Sequence, residues 1–172
     1  MNKSGISRRN FIAALIAGLG AGACTSIPAP KMGKGPPRVP TKSAIMLGPA
    51  PIKGSEAKFA FTQVSGAPAS HVMGFTRAIN SEAGARKLTV VPDGDPSATY
   101  LVKGYLSAIG DARGTLLIYV WDVTDTSGKR LHRVTGQETA GGSASDPWSG
   151  VDEDAVQSAA KRTIDDLAAW IS

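Results

Sequence analysis

Leu116–Thr124, LLIYVWDVT, is the stretch on which the arrangement of the rest of the chain turns. Both of its alternating sets are apolar: Leu116, Ile118 and Val120 on one side, Leu117, Tyr119, Trp121 and Val123 on the other. β-Branched and aromatic residues suit a pleated, buried backbone, and a short run apolar on both faces belongs inside a sheet. The stretch is therefore expected to be a central strand.

Working outward, Thr99–Ala108 and Arg130–Glu138 have strand character on either side. They are joined to the central segment by Gly110-Asp111-Ala112-Arg113-Gly114 and Asp125-Thr126-Ser127-Gly128-Lys129. Glycine-bearing connections this short predict hairpins, hence an antiparallel meander.

Upstream, Lys58–Val64 (KFAFTQV) alternates, with Phe59, Phe61 and Gln63 on one side and Ala60, Thr62 and Val64 on the other, and reads as a first strand. A helix is expected from Ser70 as cap to about Arg86, with Val72, Phe75, Ile79 and Ala83 at helical spacing and Gly84 as terminator. Leu88–Val91 is a short apolar strand stopped by Pro92-Asp93-Gly94. A closing helix over Asp152–Ile171 carries the stripe Val156, Ala160, Thr163, Ile164, Leu167, Trp170 and Ile171, with acids at its positive end. The expected fold is α+β: β-α-β-β-β-β-α, a mixed sheet of about five strands with two helices on one face, over residues 56–172.

Ahead of it, residues 24–55 hold five basic residues, no acidic ones and most of the chain's eleven prolines. Proline fixes φ and removes donors, so this segment is expected to be an extended linker. The formal charge of +5 is unevenly spread: residues 56–172 carry a net −3, and the excess of basic residues belongs to the leader and the linker. A nucleic-acid-binding domain would concentrate positive charge on its folded face. No nucleic-acid partner is expected. Beside a membrane, a basic tether is drawn to anionic head groups.

Residues 1–23 have the grammar of an export signal: Lys3, Arg8 and Arg9, then the 13-residue run Phe11–Ala23 closing on small residues. As a helix that run reaches roughly 20 Å, short of a bilayer core of about 30 Å. Ser7-Arg8-Arg9-Asn10-Phe11-Ile12 resembles the twin-arginine motif, with Arg8, Arg9 and Phe11 as its recognised residues and Ala13 where that family often has lysine. Ala21-Gly22-Ala23-Cys24 resembles a bacterial lipobox, with Ala21 where leucine is usual. The resemblance implies cleavage behind Ala23, acylation of Cys24 and, with Thr25 rather than aspartate next, sorting to the outer membrane. Cys24 is the only cysteine, so no internal disulfide is possible.

Catalytic constellations are scarce. His71 and His132, the only histidines, fall on different predicted elements. Ser-x-x-Lys occurs at Ser55/Lys58 and Ser158/Lys161 without companion motifs, and the adjacent acids Asp165 and Asp166 read as a solvated helix face. No cofactor or metal site is expected. Tyr105, Tyr119 and Trp121 lie on neighbouring strands and either line one exposed face as a partner surface or belong to the core. Trp148, in a glycine- and serine-rich loop, is either a partner anchor or packing for the last helix.

In arrangement the chain is similar to small α/β envelope lipoproteins that activate peptidoglycan synthases or help assemble outer-membrane machines. This is a likeness of architecture, which carries function weakly. The expectation is a non-catalytic lipoprotein, anchored on the periplasmic side of the outer membrane, that presents its domain to a protein partner. The alternative is a periplasmic lipoprotein binding a small ligand, which calls for an apolar pocket with converging polar groups.

Overall fold

A computed structural model describes residues 45–46, 48–142 and 145–172. Arg8, Arg9, Phe11 and Cys24 lie outside the described residues. The described chain forms β1 (Ile45–Met46), β2 (Lys58–Ser65), α1 (Ala69–Arg86), β3 (Thr89–Val91), β4 (Tyr100–Asp111), β5 (Gly114–Thr124), β6 (Arg130–Ala140) and α2 (Glu153–Trp170). One-turn 3-10 helices at Gly54–Glu56 and Pro147–Gly150 lead into β2 and α2.

The strands make one mixed sheet in the order β1-β6-β5-β4-β2-β3. The expected α+β class is found, with β5 central in the meander and the two-residue β1 added at one edge. β4 and β5 pair antiparallel without a break from Leu101↔Thr124 to Asp111↔Gly114, a register set by the two-residue turn Ala112-Arg113. The β5–β6 turn is tied by Asp125, whose Oδ1 accepts from the Ser127 and Lys129 N–H groups at 2.9 and 3.0 Å. β2 runs parallel to both β3 and β4, and α1 is the crossover from β2 to β3.

Both helices cover one face of the sheet. Phe75 of α1 meets Trp121, with ring centroids 6.0 Å apart, and Trp170 of α2 stacks on His132 at 4.8 Å and 7°. The helices are clamped to each other by Arg86, whose Nε donates to Asp165 at 2.6 Å, and by Gln157 Nε2 donating to Glu82 at 2.6 Å. Asp165 thus joins two helices and is not simply a solvated acid.

Three expectations need correction. A bulge between Phe61 and Val64 shifts the β2 register, so Val64 packs on the core beside Phe59 and Phe61 instead of facing away. Ser70 does not cap α1, which begins at Ala69 behind Pro68; nor does Gly84 end it, because Lys87 adopts the left-handed conformation (φ 57°) and Leu88 N–H closes back on the Ala83 carbonyl. The domain also begins before Glu56. Ile52 N–H donates to the Tyr100 hydroxyl at 2.7 Å and the hydroxyl donates to the Ile52 carbonyl at 2.8 Å, while Trp170 Nε1–H donates to the Gly48 carbonyl at 3.0 Å. Ala50 is buried among these contacts. The proline-rich segment from residue 48 onward is part of the folded unit because side chains far along the chain satisfy its backbone.

Candidate functional site

Side chains alternate across a strand, so in-register partners on neighbouring strands share a face. On the helix-covered face lie Gly104, Trp121 and Val134 in one row and Leu106, Tyr119 and Gly136 in the next. On the opposite face the rows are Lys103-Asp122-Arg133, Tyr105-Val120-Thr135, Ser107-Ile118-Gln137 and Ile109-Leu116-Thr139. Of the two alternatives for Tyr105, Tyr119 and Trp121, the shared exposed face is corrected and the core holds for Tyr119 and Trp121: odd-numbered β4 residues and odd-numbered β5 residues point to opposite faces in this register. Tyr119 and Trp121 are each only 1% exposed beneath the helices, whereas Tyr105 is 55% exposed on the other side.

Tyr105 has company there. Ile109 on the same strand is also 55% exposed, and Leu116, Ile118 and Val120 of β5 are half-buried beside them. These residues make an apolar strip on the face that neither helix covers. One end is closed by ions: Arg133 grips Asp122 with two hydrogen bonds of 2.6 Å, and Arg130 stands 3.7 Å from the same carboxylate. The Arg133 hydrogen bonds hold the Asp122 carboxyl below its ordinary range against the opposing effect of burial.

A second feature is a cavity of about 300 Å³ between α1 and the β2–β3 end of the sheet. Phe61, Val64, Phe75, Ile79, Val90 and Trp121 supply its apolar wall. Thr76, Asn80 and Asp93, all exposed, bring polar groups to its mouth. Phe61 meets Trp121 edge-on at 5.6 Å and 81°.

Trp148 is half-buried in the 3-10 turn before α2, packs on the core and lies 5.1 Å from the His71 ring. His132 is buried against Trp170, and burial holds its imidazole below the ordinary histidine pKa, opposed by the charge of Asp166. The two histidines thus have separate surroundings. Ser158 is exposed, and Lys161 pairs with Asp165 at 2.9 Å. Among the described residues, no three His, Cys, Asp or Glu side chains gather in a way that could hold a metal ion. Beneath α2, buried Glu138 accepts from Arg162 Nε at 2.8 Å and from the Tyr119 hydroxyl at 3.5 Å. Burial pushes the Glu138 carboxyl up, and burial together with the neighbouring carboxylate pushes the Tyr119 phenol up.

Sequence reasoning missed the cavity and Ile109. The alternation of β4 does mark Tyr105 and Ile109 as same-side residues, but the cavity depends on the β2 bulge and on where α1 crosses.

No family profile matches the chain, and no curated protein is similar to it in sequence. Among solved structures it is similar to the PelC dodecamer from Paraburkholderia phytofirmans, at 14% identity and a TM-score of 0.47 over 70% of this chain and 97% of that one. A point variant of that dodecamer gives 12% and 0.45 over 69% and 95%. A PDZ domain protein from Parabacteroides distasonis gives 10% and 0.35 over 66% and 30%. At that level of likeness neither fold nor activity passes from one protein to another.

Proposed function

We propose that the chain is a lipid-anchored envelope protein that holds its α+β domain out on a basic tether and offers the sheet face opposite α1 and α2 to a protein partner in the periplasm or outer membrane. It performs no chemistry of its own. The observation that supports this best is the strip around Tyr105 and Ile109, two large side chains each 55% exposed next to Leu116, Ile118 and Val120. A contiguous apolar patch rimmed by polar groups is the usual mark of an interaction surface. The Lys103-Asp122-Arg133 row gives this patch a charged margin, so the partner should bring an apolar surface with a polar edge. Anchoring rests on the lipobox-like Ala21-Gly22-Ala23-Cys24, and the membrane reading on the tether's charge. A second reading, binding of a small envelope ligand, is favoured by the cavity beside Trp121.

The test is complementation of cells lacking the chain. Tyr105→Glu combined with Ile109→Glu should abolish function while the circular dichroism spectrum and unfolding midpoint stay close to the parent's. His71→Ala and Ser158→Ala should complement normally. A working double-glutamate variant beside a folded but inactive His71→Ala or Ser158→Ala would mean that the protein acts chemically.

A further inference from the structure

β2 runs on to Ser65, but β3 pairs with it only from Lys58 to Ala60. Pro92, which has no N–H to give to a ladder, follows the last paired residue, Val91. Among the described residues, no strand lies beside the outer edge of β2 beyond Ala60. The cavity of about 300 Å³ opens where β3 stops, with Phe75 and Ile79 of α1 on one side and Phe61 and Val64 of β2 on the other. Val90 and Val91 close it toward β3.

Its place in the topology points to a ligand independently of its lining. β3 follows β2 on one side by way of α1, and β4 lies parallel on the other side, so the strand order reverses at β2. In open sheets of parallel strands, ligands bind outside the carboxyl ends of the strands at such a reversal. Val64 and Val91 stand at or beside the carboxyl ends of β2 and β3.

At about 30 Å³ per heavy atom of a liquid, the cavity has room for roughly ten heavy atoms. Its walls are apolar, so the body of an occupant is apolar. The mouth asks for a hydrogen-bond donor. Asp93 is the only charged lining residue, and a carboxylate only accepts. The Thr76 hydroxyl gives its proton to the Val72 carbonyl at 3.0 Å, which leaves its oxygen to accept. Residues 56–172 carry a net −3, so the field of the domain also favours a cation.

We propose that this cavity binds a small amine, whose apolar body rests against Phe61, Val64 and Phe75 and whose ammonium head meets Asp93 at the mouth. The proposal rests on the second reading above, ligand binding in this cavity, and gives it a ligand class. It does not depend on the partner surface at Tyr105 and Ile109.

The probe is 2-phenylethylamine, titrated into the full ¹⁵N-labelled chain and followed by the backbone amides of Val64, Asn80, Val91 and Asp93. These signals should shift together and saturate with a Kd of ~1 mM, the range open to so small a ligand. The neutral 2-phenylethanol should bind about threefold more weakly, the worth of an exposed ion pair, and anionic phenylacetate about tenfold more weakly. Asp93→Asn, at an exposed position, should make amine and alcohol bind alike. Asn80→Phe, also exposed and on the mouth, should weaken all three by obstructing entry.

Equal binding of amine, alcohol and acid to the parent overturns the amine assignment while leaving a ligand site, as does an amine preference that survives in Asp93→Asn. Amides that fail to move with any of the three, or shifts that map to the Tyr105 face instead, overturn the ligand site along with it.

Discussion

Trp121 stands directly opposite Gly104 in the β4–β5 ladder, and its ring occupies the space that a Cβ on residue 104 would need. One row along, Tyr119 is related in the same way to Gly136 of β6. The two largest aromatics of the central strand thus lie down on glycines of the neighbouring strands, which leaves a surface level enough for the helices to cover. Gly104→Ala should destabilise the domain by about 1–3 kcal/mol, the usual cost of overpacking. Gly84→Ala, in α1 with open space around it, should instead stabilise by about 0.5–1 kcal/mol. Urea unfolding of the two variants checks both signs.

Lys87 ends α1 with φ 57°, the one described non-glycine residue at positive φ. A side chain in the left-handed region costs about 1 kcal/mol, which glycine avoids, though glycine also gives the unfolded chain more freedom. Lys87→Gly should therefore raise stability by roughly 0.5–1 kcal/mol. Its unfolding midpoint should rise with an unchanged denaturant slope.

His132 should make stability fall in mild acid. Burial depresses its folded pKa below the ordinary value of 6.5, with Asp166 opposing the shift. Below that value the unfolded chain takes up a proton that the folded chain resists. The contribution is complete above about pH 6.5 and is lost as the pH falls from there toward the folded value. Glu138, whose folded carboxyl is pushed up, acts in the opposite sense as pH rises from the ordinary glutamate value. His132→Phe keeps an aromatic against Trp170 but cannot titrate. The loss of stability between pH 6.5 and 5 should be smaller in this variant than in the parent, measured by urea unfolding at each pH.

Five of the six strands and both helices were legible from period and turn chemistry, since each carries its own local pattern; the two-residue β1 was not. LLIYVWDVT could be placed at the centre of the meander because both of its faces are apolar. What escaped was fixed by distant partners. Nothing near Pro49 and Pro51 signals that Tyr100 and Trp170 will bind the backbone of residues 48–52. Likewise, no local feature of KFAFTQV announces the bulge that turns Val64 inward. The apolar strip was half legible: Tyr105 is exposed on it, but excluding Tyr119 and Trp121 from its face requires a register that only the ladder supplies.

Anchoring is expected to depend on Cys24 and reach on the tether. Cys24→Ser should leave the protein unacylated and released or stranded, and intact mass of the membrane-extracted parent should show cleavage behind Ala23. Because residues from 48 onward belong to the fold, the tether can be shortened only ahead of them. On the proposal that residues 24–44 act as the tether, deleting residues 31–41 shortens it from 21 residues to 10. That variant should fold and be acylated yet lose function. Retention of Met1, or an unmodified Cys24, would contradict the anchor.

The central claim is that the sheet face opposite α1 and α2 meets a protein partner, and position-specific photocrosslinking in intact cells tests it most directly. A photoreactive residue replacing Tyr105 or Ile109 should give the same single adduct from both positions. The same residue replacing exposed Met73 or Lys87, on α1 and at its end, should give none. Adducts from the helix positions with none from Tyr105 and Ile109 would contradict the account.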